Sequence, residues 1–248
     1  MQANPTRSAS SRRTRALLGC GAVAGPLFVT VFFVEGRQRR DYNAMRQPVS
    51  ALALGPRGFV QTANFLVAGT LFLAGARGLS AHSSGRDRLV PALIGGAGLG
   101  LLAAAVFPTD PVSGYPPGKE TAEPSTTTTG TLHNLAALPV FLGVPAAAAF
   151  SAVKAIRRAD YAWGVYSAVS AATTLATNVL AGAGFGQSPR LVNVAGLCQR
   201  IAITAAFGWV SVVCVRARCG SSLEGRPQGR SPRSTPSAGR ATSAVASD

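Results

Sequence analysis

Leu89-Val-Pro-Ala-Leu-Ile-Gly-Gly-Ala-Gly-Leu-Gly-Leu-Leu-Ala-Ala-Ala-Val-Phe107 runs for nineteen residues without one charged or hydrogen-bonding side chain. A helix rises about 1.5 Å per residue, so this stretch covers roughly 28 Å, matching a hydrocarbon core about 30 Å thick. Five more apolar runs share the chain with it: Ala16–Val34, Phe59–Leu79, Leu132–Val153, Trp163–Gly182 and Leu191–Val215. Inside a bilayer there is no water to bond an open backbone, so a spanning run closes its own hydrogen bonds as a helix. The sequence predicts an all-α fold, a six-helix transmembrane bundle over residues 16–216. Residues 1–15 and 217–248 are expected as disordered tails, since neither holds enough apolar surface to bury.

Composition agrees. Of 248 residues 47% are hydrophobic and only 13% charged, too few charges for a soluble domain of this length. The net charge of +15 invites a nucleic-acid partner. However, the basic residues stand between or beside the apolar runs, with no continuous basic face and no interleaved aromatics. That pattern excludes nucleic acid and points to the lipid bilayer. Flanking arginines are topology signals instead. The N-terminal tail, the second-to-third and fourth-to-fifth connections and the C-terminal tail hold 16 of the 24 Lys and Arg. The positive-inside rule then places both termini in the cytoplasm. The first outer connection dissents, with Arg37, Arg39, Arg40, Arg46 and Arg57 against the two acids Glu35 and Asp41.

No small-x-small cleavage site closes the first run, so it is read as an uncleaved span. Leu17-Leu-Gly-Cys20 resembles a lipoprotein box, but the apolar stretch continues fourteen residues past Cys20. Cys20, Cys198 and Cys214 fall in spans and Cys219 in the last tail, which implies neither a disulfide framework nor a zinc motif. Small-residue pairs Gly21/Gly25 and Gly96/Gly100 allow close helix approach. Ser167, Ser170, Thr174 and Thr177 give the fifth span a hydroxyl face, expected to pack against a neighbour. Pro26 interrupts the first span, and Pro139 and Pro145 the fourth. Broken helices in matched positions would suit a transporter.

Polar groups at membrane depth are costly and need a reason. In this chain they gather on one side. Glu35 ends the first span; Gln61 and Asn64 share a face near the start of the second. Asp110 follows the third span, and His133 and Asn134 open the fourth. Asn178 and Gln187 lie at the outer end of the fifth, and Asn193, Gln199 and Arg200 at that of the sixth. From these the expected ligand-binding set is Glu35, Gln61, Asn64, Asp110, His133, Asn134, Gln187 and Arg200. Arg200 is expected to snorkel, to pair with Asp110 or Glu35, or to await an anionic group. His133 and Asp110 are the candidate catalytic acid–base pair. No metal site is expected, because one histidine supplies too few ligands, and no cofactor motif is present. Two outer connections, Glu35–Gly58 and Pro108–Thr131, are long. Within the first, Val49–Leu54 is apolar and short, fit either for the interface or for re-entry into the bundle.

Several strings then resemble the bacterial multi-pass membrane proteins grouped as DUF998. They are Gly25-Pro-Leu-Phe28, Pro48-Val-Ser-Ala-Leu-Ala-Leu-Gly-Pro-Arg-Gly58, Gln61-Thr-Ala-Asn-Phe65, Phe107-Pro-Thr-Asp-Pro-Val-Ser-Gly114, Leu132-His133-Asn134 and Ala183-Gly-Phe-Gly-Gln187. The likeness covers about residues 16–216. It implies six spans and a bacterial cell (plasma) membrane, and it carries no established activity. The leading expectation is a membrane protein with an outward-facing polar pocket for a small or lipid-like ligand. Its rivals are an enzyme on a lipid or envelope precursor, a transporter, and a structural or accessory subunit.

Overall fold

The structure, a computed structural model, describes residues 5–83, 87–118 and 126–224. Its helices in chain order are α1 (Pro5–Gln38), α2 (Gly58–His82), α3 (Leu89–Val106), α4 (Thr128–Leu138), α5 (Val144–Arg157), α6 (Tyr161–Phe185) and α7 (Ala195–Glu224). A 3-10 turn, Val49–Ala53, sits between α1 and α2, and a π turn, Pro139–Gly143, joins α4 to α5. With α4, the π turn and α5 taken as one, six helical segments are long and apolar enough to cross a membrane. The chain is a multi-pass helical membrane protein. Phe59, Val106 and Val179 point outward, where lipid rather than water solvates them.

Three boundaries differ from expectation. Helix α1 starts at Pro5, so most of the tail expected at 1–15 is helical. Propagating a helix from an established span needs no new nucleus, and proline is well tolerated at a first helical position. Helix α7 likewise runs past 217 to Glu224, while residues 225–248, with Arg86 and Lys119 of the charge count, lie outside the described residues. The sixth span begins at Ala195 rather than Leu191, because Leu191 N and Val192 N both bond Ser188 O in a turn beside Pro189.

The spans close a ring: α1 packs on α2 and α7, α2 on α3, α3 on the fourth span, α5 on α6, and α6 on α7. Phe28, Phe72 and Phe207 fill its centre, with ring centroids 4.9 Å apart for Phe28–Phe207 and 4.7 Å for Phe72–Phe207. The hydroxyl face of α6 packs on α7 as expected. Ser167 accepts from Trp209 Nε1 at 3.0 Å and Ser170 donates to Ala205 O at 3.0 Å, whereas Thr177 bonds only its own helix. Of the small-residue pairs, Gly100 stands against Ala136 O, and a Cβ on Gly96 would meet only Pro139 Cβ at 3.9 Å.

Gly21 marks a tight crossing of α1 with α2 and α7. A Cβ there would lie 2.5 Å from Cys214 Sγ and 2.9 Å from Gly75 Cα. Backbone cannot yield as a flexible side chain can, so Gly21→Leu is expected to destabilise the bundle by about 3 kcal/mol. Gly208→Ala, with nothing within 4 Å of the added carbon, should leave the unfolding midpoint in detergent unchanged.

The prolines act unequally. Helix α1 continues through Pro26 without a break. The fourth span does break, widening into the π turn at Pro139, where the missing N–H removes a helical bond. At the short-loop end the connections are clamped by ion pairs. Lys154 bonds Asp87, and Arg216 bonds Asp160 at 2.7 Å while lying 4.7 Å over the Trp163 ring.

Candidate functional site

The long-loop end is built around the segment Val49–Leu54, which re-enters the bundle. Val49, Ala51 and Leu52 are fully buried against α1, α2 and α7. Non-helical backbone at that depth survives only if its polar groups find protein partners. Gln199 Oε1 accepts from Val49 N at 2.7 Å. Arg39 donates to Leu52 O and Leu54 O, each at 2.8 Å. Tyr42 donates its hydroxyl to Pro48 O at 2.9 Å. Burial raises the Tyr42 pKa above its ordinary value of 10.0, outweighing the lowering by Arg200 and Arg39, so the phenol keeps the proton it donates.

Arg200 belongs to this cap. Its guanidinium donates to Ala44 O at 2.5 Å, Gln47 O at 3.0 Å and Gly196 O at 2.9 Å, and also to Tyr42 Oη. The rings of Phe32 and Tyr42 cover it. The expected pairing with Asp110 or Glu35 is not made, and Arg200 neither snorkels nor lines the cleft described below. The physical reason is that two loop carbonyls, Ala44 O and Gln47 O, need donors, and the planar guanidinium supplies them while also bonding Gly196 O of its own helix. Beside it, a Cβ on Gly196 would fall 2.5 Å from Gln47 O and 2.6 Å from Ala44 O; only glycine lets the loop seat this closely.

Glu35 pairs with Arg39 at 3.3 Å and with Arg57. Two of the five anomalous arginines are thus absorbed locally. Arg39 also donates to Tyr115 Oη at 3.0 Å, and Tyr115 packs edge-on against Tyr42. Gln47 bonds Ser113 O at 3.3 Å, and Gln187 reaches Ser113 Oγ at 3.5 Å. Gln61 and Asn64 are buried between α1 and α2, where Asn64 Nδ2 donates to Phe28 O at 3.2 Å and to Gln61 Oε1 at 3.3 Å. Glu35, Gln61, Asn64, Gln187 and Arg200 therefore hold the helix ends and loops together. None of them lines the cleft.

Next to this cap is a cleft of about 510 Å³, within the size range of small-ligand sites. Pro48, Val49 and Ser50 form one wall; Gly100, Leu101 and Ala104 of α3 and Thr109–Val112 another. His133, Asn134, Ala137 and Leu142 of the fourth span face it, as do Asn178, Gly182 and Phe185 of α6 and Gln199 and Ile203 of α7. Phe28, Phe65 and Phe207 also line it, and Phe72 backs Phe207. The cleft thus ends at the aromatic centre of the bundle. Its side is open. Helix α5 packs along α6, but beyond the π turn α4 makes no comparable contact with it. Leu138 and Leu142 line the cleft and are also 47% and 53% exposed. The opening between α4 and α6 therefore faces the lipid side of the bundle.

Three of the expected residues, Asp110, His133 and Asn134, share this cleft. The expected acid–base pair does not hydrogen-bond. Both Asp110 oxygens accept from Thr127, Oδ2 from its N–H at 2.9 Å and Oδ1 from its hydroxyl at 2.6 Å. Thr127 in turn caps α4 through Gly130 N. His133 Nδ1 meets Phe107 O at 2.8 Å, which fixes a proton on Nδ1 and leaves Nε2 as the lone-pair nitrogen of the neutral ring. Among the described residues no three His, Cys, Asp or Glu side chains gather to hold a metal. Asn178 and Gln199 line the cleft as well, although the expected set omits them. Their signal was the same as that of the others, a carboxamide at membrane depth.

Residues 22–216 match the family model described as "Protein of unknown function (DUF998)". The chain belongs to the DUF998 family. The match takes in four spans whole, most of the first and last, and both long connections, so cap and cleft lie inside the matched region. No curated protein and no solved structure matches the chain.

Proposed function

We propose that this DUF998 protein binds a small or lipid-like ligand in the cleft, and that the long-loop end faces outward from a bacterial plasma membrane with both termini in the cytoplasm. The observation that carries the reading is the cleft itself, which has apolar walls, a polar rim and a side opening toward lipid. A solvated surface dimple has no use for a gap between two spans, whereas a molecule arriving from the bilayer enters through one. The charge count supports the sidedness.

Binding fits the geometry better than the rivals. Enzymatic acid–base work by this pair would need Asp110 and His133 to share a proton, whereas both Asp110 oxygens are bonded to Thr127 and His133 Nδ1 to Phe107 O, which leaves Nε2 without the carboxylate as its partner. Transport would need a polar path onward, and Phe28, Phe72, Phe207 and Trp209, all fully buried, fill that direction. Native mass spectrometry of protein released from its own membranes tests the reading. Wild type should carry a bound small-molecule or lipid mass. Ala137→Phe, which fills the cleft and deletes none of its polar groups, should lose it while unfolding at an unchanged temperature. Identical spectra for the two would refute the reading.

A further inference from the structure

Two carboxamides flank the opening of the cleft, Asn134 on α4 and Asn178 on α6. Among the described residues, neither side chain makes a hydrogen bond to the protein, whereas Asn64, His133, Gln199 and Arg200 do. Asn134 is exposed and Asn178 half-buried, so both amides are open to a molecule lying in the cleft. The lining holds no Lys or Arg. Its one carboxylate, Asp110, makes no ion pair among the described residues and already accepts twice from Thr127 at the start of α4, where the helix dipole offsets its charge. An anionic head would meet that carboxylate with no cation to balance it. A cationic head would find a carboxylate already compensated. A hydroxyl, which both donates and accepts, matches a carboxamide that does the same.

We propose that the cleft takes a lipid with an uncharged, hydroxylated head, bonded by Asn134 and Asn178, whose chain leaves between α4 and α6 into the bilayer. This rests on the reading of the cleft as a ligand site and names the chemistry of its occupant. Three probes with the same eighteen-carbon unsaturated chain separate the alternatives: monoolein, oleate and oleylamine, each added to the full chain in phosphatidylcholine nanodiscs. Unfolding is followed through Trp163 and Trp209, which lie away from the cleft. Monoolein should raise the unfolding midpoint by several degrees, and more than either charged probe. Its apparent Kd should weaken at least fivefold in Asn178→Leu and in Asn134→Leu, neither of which removes a bond within the protein. A larger shift with oleate would overturn the assignment of the head, and so would a larger shift with oleylamine that Asp110→Asn abolishes. Undiminished monoolein binding in both leucine variants would also overturn it. In all three cases the ligand site itself would stand. If none of the probes shifts wild type, the ligand site falls with it.

Discussion

Arg200→Met is expected to destabilise the protein by about 3–5 kcal/mol, because a buried guanidinium that donates to three carbonyls and a phenol is lost, and hydrogen bonds to a charged group are worth about 1.5–3 kcal/mol each. The apolar replacement fills much of the volume but donates nothing. Ala44 O then loses its side-chain donor, Gln47 O keeps only the longer bond from the Tyr42 hydroxyl at 3.3 Å, and Tyr42 Oη loses the group it accepts from. Each unsatisfied buried group costs about 1–3 kcal/mol, and partial entry of water limits the sum. Arg200→Lys should recover less than half, because an ammonium cannot span three carbonyls with a planar fork. The unfolding midpoint in detergent measures both. A second readout follows the loop itself. Cysteine placed at Ala51, fully buried in the native cap, should react with a membrane-impermeant maleimide in Arg200→Met and not in wild type. A midpoint within a degree of wild type would mean the cap does not depend on this arginine.

Glu35→Gln should cost about 3 kcal/mol. Both Glu35 and Arg39 are nearly buried, with side chains 5% and 6% exposed, and removing the carboxylate leaves a guanidinium without a counter-charge. Arg39 cannot swing out to water without releasing Leu52 O, Leu54 O and Tyr115 Oη. The double variant Glu35→Leu/Arg39→Met should therefore fare no better than Glu35→Gln, unlike an isolated buried pair, whose joint replacement is often neutral. Arg57 offers the contrast. It contacts the same carboxylate, but its side chain is 49% exposed, so Arg57→Ala should cost under about 1 kcal/mol. Thermal unfolding of the four proteins at low and high salt ranks these effects, and only the Arg57 contribution should fade as salt rises.

The spans were legible because a bilayer permits so few solutions: nineteen residues such as Leu89–Phe107 can only be a helix. The grouping of polar residues at one end was legible for the same reason. Which of them face a common space was not. Depth is read from position along a helix, but direction around it depends on what packs alongside. Asn64 turns to Phe28 O and Gln61 Oε1, whereas His133 and Asn134 turn to the cleft. Arg200 misleads in a more general way. A buried arginine suggests a carboxylate partner, yet its partners are two backbone carbonyls of the first long connection, Ala44 O and Gln47 O, together with Tyr42 Oη and, on its own helix, Gly196 O. Pro26 and Pro139 look alike in the sequence, but only the second opens its span.

The central claim is that the space between α4 and α6 holds a molecule drawn from the membrane. A photo-crosslinking phenylalanine analogue at Phe141, in the cleft lining, and at Val179, on the lipid-facing side of α6 and 68% exposed, tests it in living cells. Irradiation at Phe141 should give one dominant adduct mass, and at Val179 a spread of bulk phospholipid masses. The same spread at both positions, or no adduct at Phe141, would contradict the account.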